Sequence, residues 1–341
     1  MAAVILPNLG LPLVGVEQVH HVRGRVWGSL GRTICVDGEP WSAFPRRPGW
    51  DAFERHRSWR RVLRGDRCVV RPLPWGVLGI RAGWGYRLTP GGAERLWPFH
   101  RGAPLRGAVA ATDEAAWVGD YWANPRHEPV VIWRISPDFT RRPAYVFPTG
   151  AVRHVHRIQV DPVDGALWAT TGDRDGACFL WRTADGFRTV DRVGDGTQRF
   201  RATHLCFTER HVSWCTDTER GVNHVVRVHR RTGAVEVGAV LPAPVWSGAL
   251  TADGWHLVAT GVERGPGVRT RSAQVFASRD AWSWSVVATV PKDRWPHRAG
   301  KHGLLWFPTG TWSLAEAVVS GEALVGVDGV ARPLALLGGW A

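Results

Sequence analysis

Residues 152–194 read VRHVHRIQVDPVDGALWATTGDRDGACFLWRTADGFRTVDRVG, and this stretch divides into four short β-rich runs. The runs are VRHVHRIQVD, ALWATTG, ACFLWRTA and FRTVDRVG, with Gly, Asp and Pro concentrated around them. Short runs rich in β-branched and aromatic residues, bounded by turn residues, are typical of β-strands. The stretch therefore predicts a unit of four strands.

The same unit recurs along the chain. In each copy a strand, a tight turn and a returning strand form a hairpin, and the turns centre on Asp37, Gly91, Asp138, Asp185, Thr232, Asp280 and Asp328. After a longer first interval, the turns are 47 or 48 residues apart. A period of this size with several strands per unit is the signature of a β-propeller. We predict an all-β fold, one β-propeller domain spanning residues 1–341, with seven four-stranded blades.

Two features of the predicted ring are less regular. The N-terminal unit is degenerate and its interval is longer, so six blades is the alternative. The apolar run at residues 3–6 is expected to add a strand to the last blade and so close the ring, which would remove an exposed sheet edge.

Three of the hairpin turns share a local pattern. They are Ser136-Pro-Asp138-Phe139, Thr183-Ala-Asp185-Gly186-Phe187 and Ser278-Arg-Asp280-Ala-Trp282. They resemble shortened Asp-boxes, whose pattern is S-x-D-x-G-x-x-W, so the chain is similar to the BNR/Asp-box propellers of the sialidase and glycoside-hydrolase type. Two copies lack the Gly, and the aromatic residue comes early in all three. Because an Asp-box is a structural turn, the resemblance implies the fold and leaves the chemistry to other residues.

Composition limits the classes of function. The net charge is +13, but only two of the 43 basic residues are Lys, and the arginines are spread along the chain without a nucleic-acid-binding motif. We therefore expect an anionic small-molecule or saccharide ligand rather than a nucleic acid. No apolar stretch is long enough for a membrane span. The five cysteines form no C-x-x-C pair, which suits a reducing compartment and predicts a cytoplasmic protein.

The propeller topology predicts where a site would form. The start of the first strand of each blade and the loop after its second strand open at the same end of the channel, so their side chains can converge. Carboxylates are expected in the second-strand loops at Asp120, Asp173, Asp217 and Glu263, and histidines near the first strands at His154, His156, His204 and His302.

A metal site is one interpretation of these histidines. Aligning Asp161 with Glu209 puts His156 and His204 in one column, and His302 falls in the equivalent stretch of the last blade. We predict that His156, His204 and His302 hold a divalent transition metal or Ca²⁺, with His154, Asp173 and Asp217 as catalytic residues. Two alternatives stay open: histidines that bond backbone carbonyls around the channel, and acid–base catalysis without a metal.

The predicted substrate-binding residues are basic, aromatic and acidic. Arg106, Arg153 and Arg201 are placed to make bidentate contacts to a carboxylate or phosphate, or else to neutralise the acidic loops. Rings that could stack on a sugar belong to Trp122, Trp246 and Trp295, and Asp120 and Glu263 complete the set.

These residues suggest a carbohydrate-active enzyme, a lyase or hydrolase acting on an acidic saccharide or glycoconjugate at the channel mouth. The first alternative is a propeller without catalysis that binds a glycan or a protein. The second is a biosynthetic enzyme for an unrelated small molecule, because propellers host many chemistries.

Overall fold

The computed structural model describes residues 18–47, 49, 53, 56–63, 68–99, 101–300 and 302–338. Their strands form seven sheets, which we number blade 1 to blade 7 in chain order. The first strands of neighbouring blades pack against one another, so these strands lie innermost and surround a central channel. The prediction of an all-β, seven-bladed propeller is confirmed.

The strand bounds show how regular the blades are. Blade 1 consists of Gln18–Val22, Arg25–Leu30, Thr33–Val36 and Glu39–Ala43. Blade 2 consists of Cys68–Leu73, Gly76–Arg81, Trp84–Thr89 and Gly92–Pro98. Blade 3 consists of Val109–Ala111, Ala116–Gly119, Val130–Ile135 and Arg141–Phe147. Blade 4 consists of Val155–Val160, Leu167–Thr171, Cys178–Thr183 and Asp191–Gly196.

Blade 5 consists of Ala202–Phe207, His211–Thr216, Asn223–His229 and Val235–Leu241. Blade 6 consists of Val245–Leu250, His256–Thr260, Ser272–Ser278 and Ser285–Pro291. Blade 7 has three strands in the described residues, Leu304–Trp306, Val318–Glu322 and Ala331–Pro333. Short helices span Arg57–Val62 and His297–Gly300, and 3₁₀ turns span Gln198–Phe200, Leu314–Glu316 and Leu334–Leu337. No helix in these ranges is long and apolar enough to cross a membrane.

The ring closes through a short parallel pairing. Thr309–Gly310 pairs with His20 and His21 of blade 1, which joins the connection within blade 7 to the first blade. The closing strand predicted at residues 3–6 lies outside the described residues. Six of the predicted hairpin turns connect third and fourth strands, whereas Asp328 lies between Val318–Glu322 and Ala331–Pro333.

Each apolar cluster combines residues of two neighbouring blades. Trp168 of blade 4 packs with Phe207 and Trp214 of blade 5, and Trp117 of blade 3 packs with residues of blade 4. Trp214 is fully buried, and its indole N–H donates to the carbonyl of Arg199 at 2.8 Å. These second-strand tryptophans hold the blades together, because large aromatic side chains bury extensive apolar surface between sheets.

The Asp-containing turns are local devices of the hairpins. Asp185 accepts hydrogen bonds from the Thr189 backbone N–H at 3.0 Å and from the Thr183 hydroxyl at 2.8 Å. Asp280 accepts from the backbone N–H groups of Trp282 and Ser283 at 2.9 and 2.7 Å. Since third-to-fourth-strand turns lie where the first strands finish, these carboxylates are at the lower end of the channel. The upper end, where the first strands begin, holds the candidate site.

Candidate metal centre

Blade 4 brings two histidines and a carboxylate together at the upper end of the channel. His154 precedes the first strand, His156 lies within it, and Asp173 follows the second strand. Val155 pairs with Thr171 and Arg157 with Thr170, so His156 occupies a bulge between them. A bulge breaks the alternation of a strand and re-aims the side chain, which lets His156 turn toward the second-strand loop.

The three side chains, which we call the mouth cluster, meet around one point. The Nε2 atoms of His154 and His156 are 3.0 Å apart. Asp173 Oδ1 lies 3.1 Å from His156 Nε2, and Oδ2 lies 3.2 Å from His154 Nε2. Metal–ligand bonds of roughly 2.0–2.2 Å in tetrahedral or octahedral geometry require ligand atoms about 3.0–3.5 Å apart. The spacing of the mouth cluster fits a divalent metal, and among the described residues this is the group of donors close enough to share one ion.

A backbone carbonyl orients the His154 ring. His154 Nδ1 lies 2.9 Å from the carbonyl oxygen of Trp122, which can only accept, so Nδ1 carries the proton. Nε2 therefore presents its lone pair to the other two groups, an arrangement found in histidine metal ligands. The Tyr121 ring covers the imidazole, with ring centroids 4.1 Å apart.

The protonation states also suit a metal. Burial lowers the pKa of His156 to about 4, so this imidazole is neutral at physiological pH. Burial alone would raise the pKa of Asp173, but its contacts with the His154 and His156 imidazoles outweigh it and hold this pKa well below its usual range. Asp173 also adopts a φ of 90°, which is strained for a residue with a Cβ. Such strain is concentrated at functional positions.

Two arginines connect the mouth cluster to further carboxylates. Arg153 contacts Asp173 at 2.8 Å. Arg201 is buried, and its guanidinium reaches Asp173 at 3.4 Å, Asp217 at 3.4 Å and Glu219 at 2.6 Å. Burial would lower the pKa of Arg201, but the three carboxylates outweigh it and raise this pKa. Both arginines are therefore engaged by the acidic loops in this structure.

Glu263 and Asp217 are the carboxyls of the site whose ionised forms are least stabilised by their surroundings. The Trp246 indole N–H donates to Glu263. Burial raises the pKa of Glu263 to about 7 and that of Asp217 well above its usual range, and the two carboxyls repel one another.

The shifted pKa of Glu263 predicts a pH dependence of stability. Its pKa in the folded protein, about 7, exceeds the ordinary value of 4.5, so the stabilisation is full below pH 4.5 and is lost as pH rises through 7. The loss should amount to about 3 kcal/mol. We expect Glu263→Gln, which keeps an acceptor for the Trp246 indole, to remove this pH-dependent part of the free energy of unfolding. Urea unfolding of both proteins at several pH values in chelator would measure it; parallel pH profiles would contradict the assignment.

His204 and His302 lie outside the mouth cluster, and the register explains why for His204. In blade 4 the backbone N–H of Asp161 donates to the carbonyl of Ala166, across the turn between the first two strands. In blade 5 the backbone N–H of Thr208 donates to the carbonyl of His211 at the same turn. Asp161 thus corresponds to Thr208 rather than to Glu209, and His204 occupies the column of Arg157. A shift of one residue turns a strand side chain to the other face. His302 lies beside Trp246 and His297, with ring centroids 6.4 and 5.6 Å apart.

The remaining predicted binding residues have other surroundings. Asp120 accepts from the Trp133 indole N–H at 2.8 Å and so fixes a strand end. Arg106 lines the channel and lies 3.8 Å from Glu322. The Trp122 ring contacts Arg101, and the half-exposed Trp295 ring contacts Arg61. Trp246 alone of the predicted stacking rings contacts a carboxylate of the site.

Tyr121 is a site residue that sequence reasoning missed. It lies between the two predicted residues of the segment Asp120–Trp122, and its ring covers His154. Its position in a second-strand loop, where the topology predicts site residues, is the sequence feature that indicates it.

One solved structure of known fold supports the propeller architecture. The WD40 β-propeller domain of Doa1 has a TM-score of 0.51, 11% identity, and coverage of 90% of each chain. The chain is a β-propeller. A TolB protein of Agrobacterium tumefaciens covers 65% of this chain at 13% identity, with 80% of its own length and a TM-score of 0.42. The dihydro-heme d1 dehydrogenase NirN covers 83% at 15% identity, with 56% of its own length and a TM-score of 0.42. No protein-family model and no curated protein matches the sequence.

Proposed function

We propose that this protein is a metal-dependent enzyme that acts at the upper channel mouth on a small acidic saccharide or glycoconjugate, as a lyase or hydrolase. The observation that carries the proposal is the mouth cluster, in which two imidazole nitrogens and a carboxylate lie within 3.2 Å of one another. Three protein ligands leave coordination positions for a water or a substrate oxygen.

The surrounding groups support acid–base chemistry. Bound metal would polarise an oxygen of the substrate or lower the pKa of a water. Glu263 and Asp217 interact, and a nearby cation would lower the pKa of one of them, which leaves one carboxyl protonated and the other ionised. The protonated carboxyl donates to the leaving oxygen. The ionised carboxyl removes a proton from the carbon beside the substrate carboxylate in an elimination, or from water in a hydrolysis.

The rings and cations at the mouth suit an anionic sugar. Trp246 and Tyr121 offer apolar ring faces beside the carboxyls, and sugar rings stack on such faces. Arg153 is half-buried and pairs with Asp173. If Asp173 bound a metal, the Arg153 guanidinium would be free to donate its N–H groups to a substrate carboxylate.

The proposal is tested with oligosaccharides that contain uronic acid. The protein is loaded separately with Mn²⁺, Zn²⁺ and Ca²⁺, and products are followed by ultraviolet absorbance for elimination and by new reducing ends for hydrolysis. Asp173→Asn should lower kcat/KM at least 100-fold, as expected for loss of a metal ligand. Asp175→Asn in the same loop removes the same charge from an exposed residue and should retain activity. Glycan binding without turnover, or turnover that survives chelator and Asp173→Asn, would refute the proposal.

A further inference from the structure

The central channel holds a second polar site, separate from the mouth cluster. A cavity of about 360 Å³ is lined by residues of all seven blades. No aspartate or glutamate is among the described residues that line it, whereas the basic side chains are His20, Arg71, Arg106, Arg157, His204 and His256. Burial lowers the pKa of each of the three histidines, so the cavity carries the positive charge of its arginines without a carboxylate in its wall.

Arg157 is the clearest unpaired cation. Its guanidinium makes no hydrogen bond or ion pair with any group in the described part of the chain, and its Nε is buried. Burial lowers its pKa to about 10, and the charge of Arg71 adds to the effect. The Arg157 side chain crosses Gly107, where an added Cβ would lie 2.7 Å from Nη1 of the guanidinium. The glycine makes room for a side chain that gains no protein partner there.

Arg71 lines the same cavity, and two backbone carbonyls hold its guanidinium in place. Its Nη2 donates to the carbonyl of Arg106 at 3.0 Å and to that of Val109 at 3.1 Å, while its Nε is buried without a partner in the described residues. Burial lowers its pKa to about 10. The two carbonyls fix the orientation of the guanidinium, and neither neutralises its charge.

Two buried histidines add unpaired nitrogens to the cavity. His204 is 4% exposed, and its Nδ1 has no partner in the described residues. Its ring lies over Gly248, where a Cβ would come within 2.3 Å of the imidazole. His20 is 5% exposed; its Nδ1 contacts the Thr309 hydroxyl at 2.6 Å, and its Nε2 has no partner there.

Two other arginines that are buried in the described residues do have anionic partners. Arg61 pairs with Asp293, and Arg201 contacts three carboxylates. An uncompensated buried charge opposes folding, so proteins pair such groups or use them to bind a counter-ion. Guanidinium and imidazole N–H groups that converge on a cavity are the donors that recognise oxyanions.

We propose that the channel binds a phosphate group, either inorganic phosphate or the phosphate of a small monoester, between Arg71, Arg157, His204 and His20. The volume lies within the range of small-molecule sites, about 300–1,000 Å³. This site is independent of the proposed function, because its residues are not those of the mouth cluster.

Calorimetric titration of chelator-treated protein with inorganic phosphate tests the proposal, with chloride at matched ionic strength as the reference. A parallel titration with glycerol 2-phosphate identifies the source of the phosphate: tighter binding of the ester indicates a phosphorylated small molecule, and equal binding indicates inorganic phosphate. We expect phosphate to bind the wild type and to raise its unfolding temperature, since a ligand that binds only the folded state stabilises it.

Matched variants assign the site. Arg157→Gln should weaken phosphate binding at least tenfold, whereas Arg231→Gln, at an exposed position, should leave it unchanged. Without phosphate, Arg157→Gln should unfold at the same or a higher temperature than the wild type, which shows that the variant folds. Asp173→Asn should bind phosphate normally, so failure of the proposed function would not affect this result. Equal binding by the wild type and Arg157→Gln, or no binding beyond the chloride reference, would overturn the proposal.

Discussion

We expect the wild-type protein to retain a bound metal after purification and the double variant His154→Ala/His156→Ala to lose it. Elemental analysis should find about one equivalent of a divalent transition metal in the wild type and less than a tenth of that in the variant. The reason is geometric: two of the three donor atoms of the mouth cluster are removed, and Asp173 alone cannot hold the ion. Reconstitution with Zn²⁺ or Mn²⁺ should restore the wild type and fail to restore the variant.

The matched control is His204→Ala/His302→Ala. It also removes two histidines near the channel, but neither belongs to the mouth cluster, so its metal content should equal that of the wild type. Loss of the metal from this control as well would mean that the ligand set predicted from the sequence, which shares His156 with the mouth cluster, is the correct one. Absence of metal from the reconstituted wild type would reject both sets.

The fold could be predicted because the same strand–turn–strand pattern recurs along the sequence. Seven copies of one hairpin at a nearly constant interval fix the number of blades, and six of the seven predicted turns connect third and fourth strands. Trp117, Trp168 and Trp214 recur on second strands, which indicates packing between blades, and the structure places them there. Blade 7 is less regular, because a connection lies between its first two described strands and displaces Asp328 from the expected turn.

The upper end of the channel could be predicted from topology. First-strand starts and second-strand loops share one end of the channel, which predicts that His154, Asp173 and Asp217 lie there. In the structure His154 contacts Asp173, and Arg201 joins Asp173 to Asp217. The single-residue register could not be predicted. Bulges at His156 and at residues 203–204 shift the alternation of the two first strands, and their positions depend on contacts with neighbouring blades. The basic cavity could not be predicted either, because nothing in the sequence distinguishes Arg157 from the many exposed arginines.

The second large effect is expected on stability rather than on metal binding. Asp161 is fully buried at the lower end of blade 4, and its two oxygens accept from Arg230 of blade 5 at 2.7 and 3.0 Å. Its Oδ1 also accepts from the Val163 backbone N–H at 3.0 Å. Removal of one member of a buried ion pair leaves its partner uncompensated, so Asp161→Ala should lower the free energy of unfolding by about 3–5 kcal/mol.

The neighbouring Asp164→Ala supplies the comparison. Asp164 is partly exposed, pairs with Arg182 at 2.9 Å and lies 3.6 Å from Arg230, so its loss should lower the free energy of unfolding by about 1 kcal/mol. Urea unfolding of both variants measures the difference. Because Asp161 ties blade 4 to blade 5 at the end of the channel opposite the mouth cluster, folded Asp161→Ala should still bind one equivalent of metal. Equal destabilisation by the two variants would mean that the ion pair contributes no more than an exposed one, and loss of metal from folded Asp161→Ala would mean that the two ends of the channel are coupled.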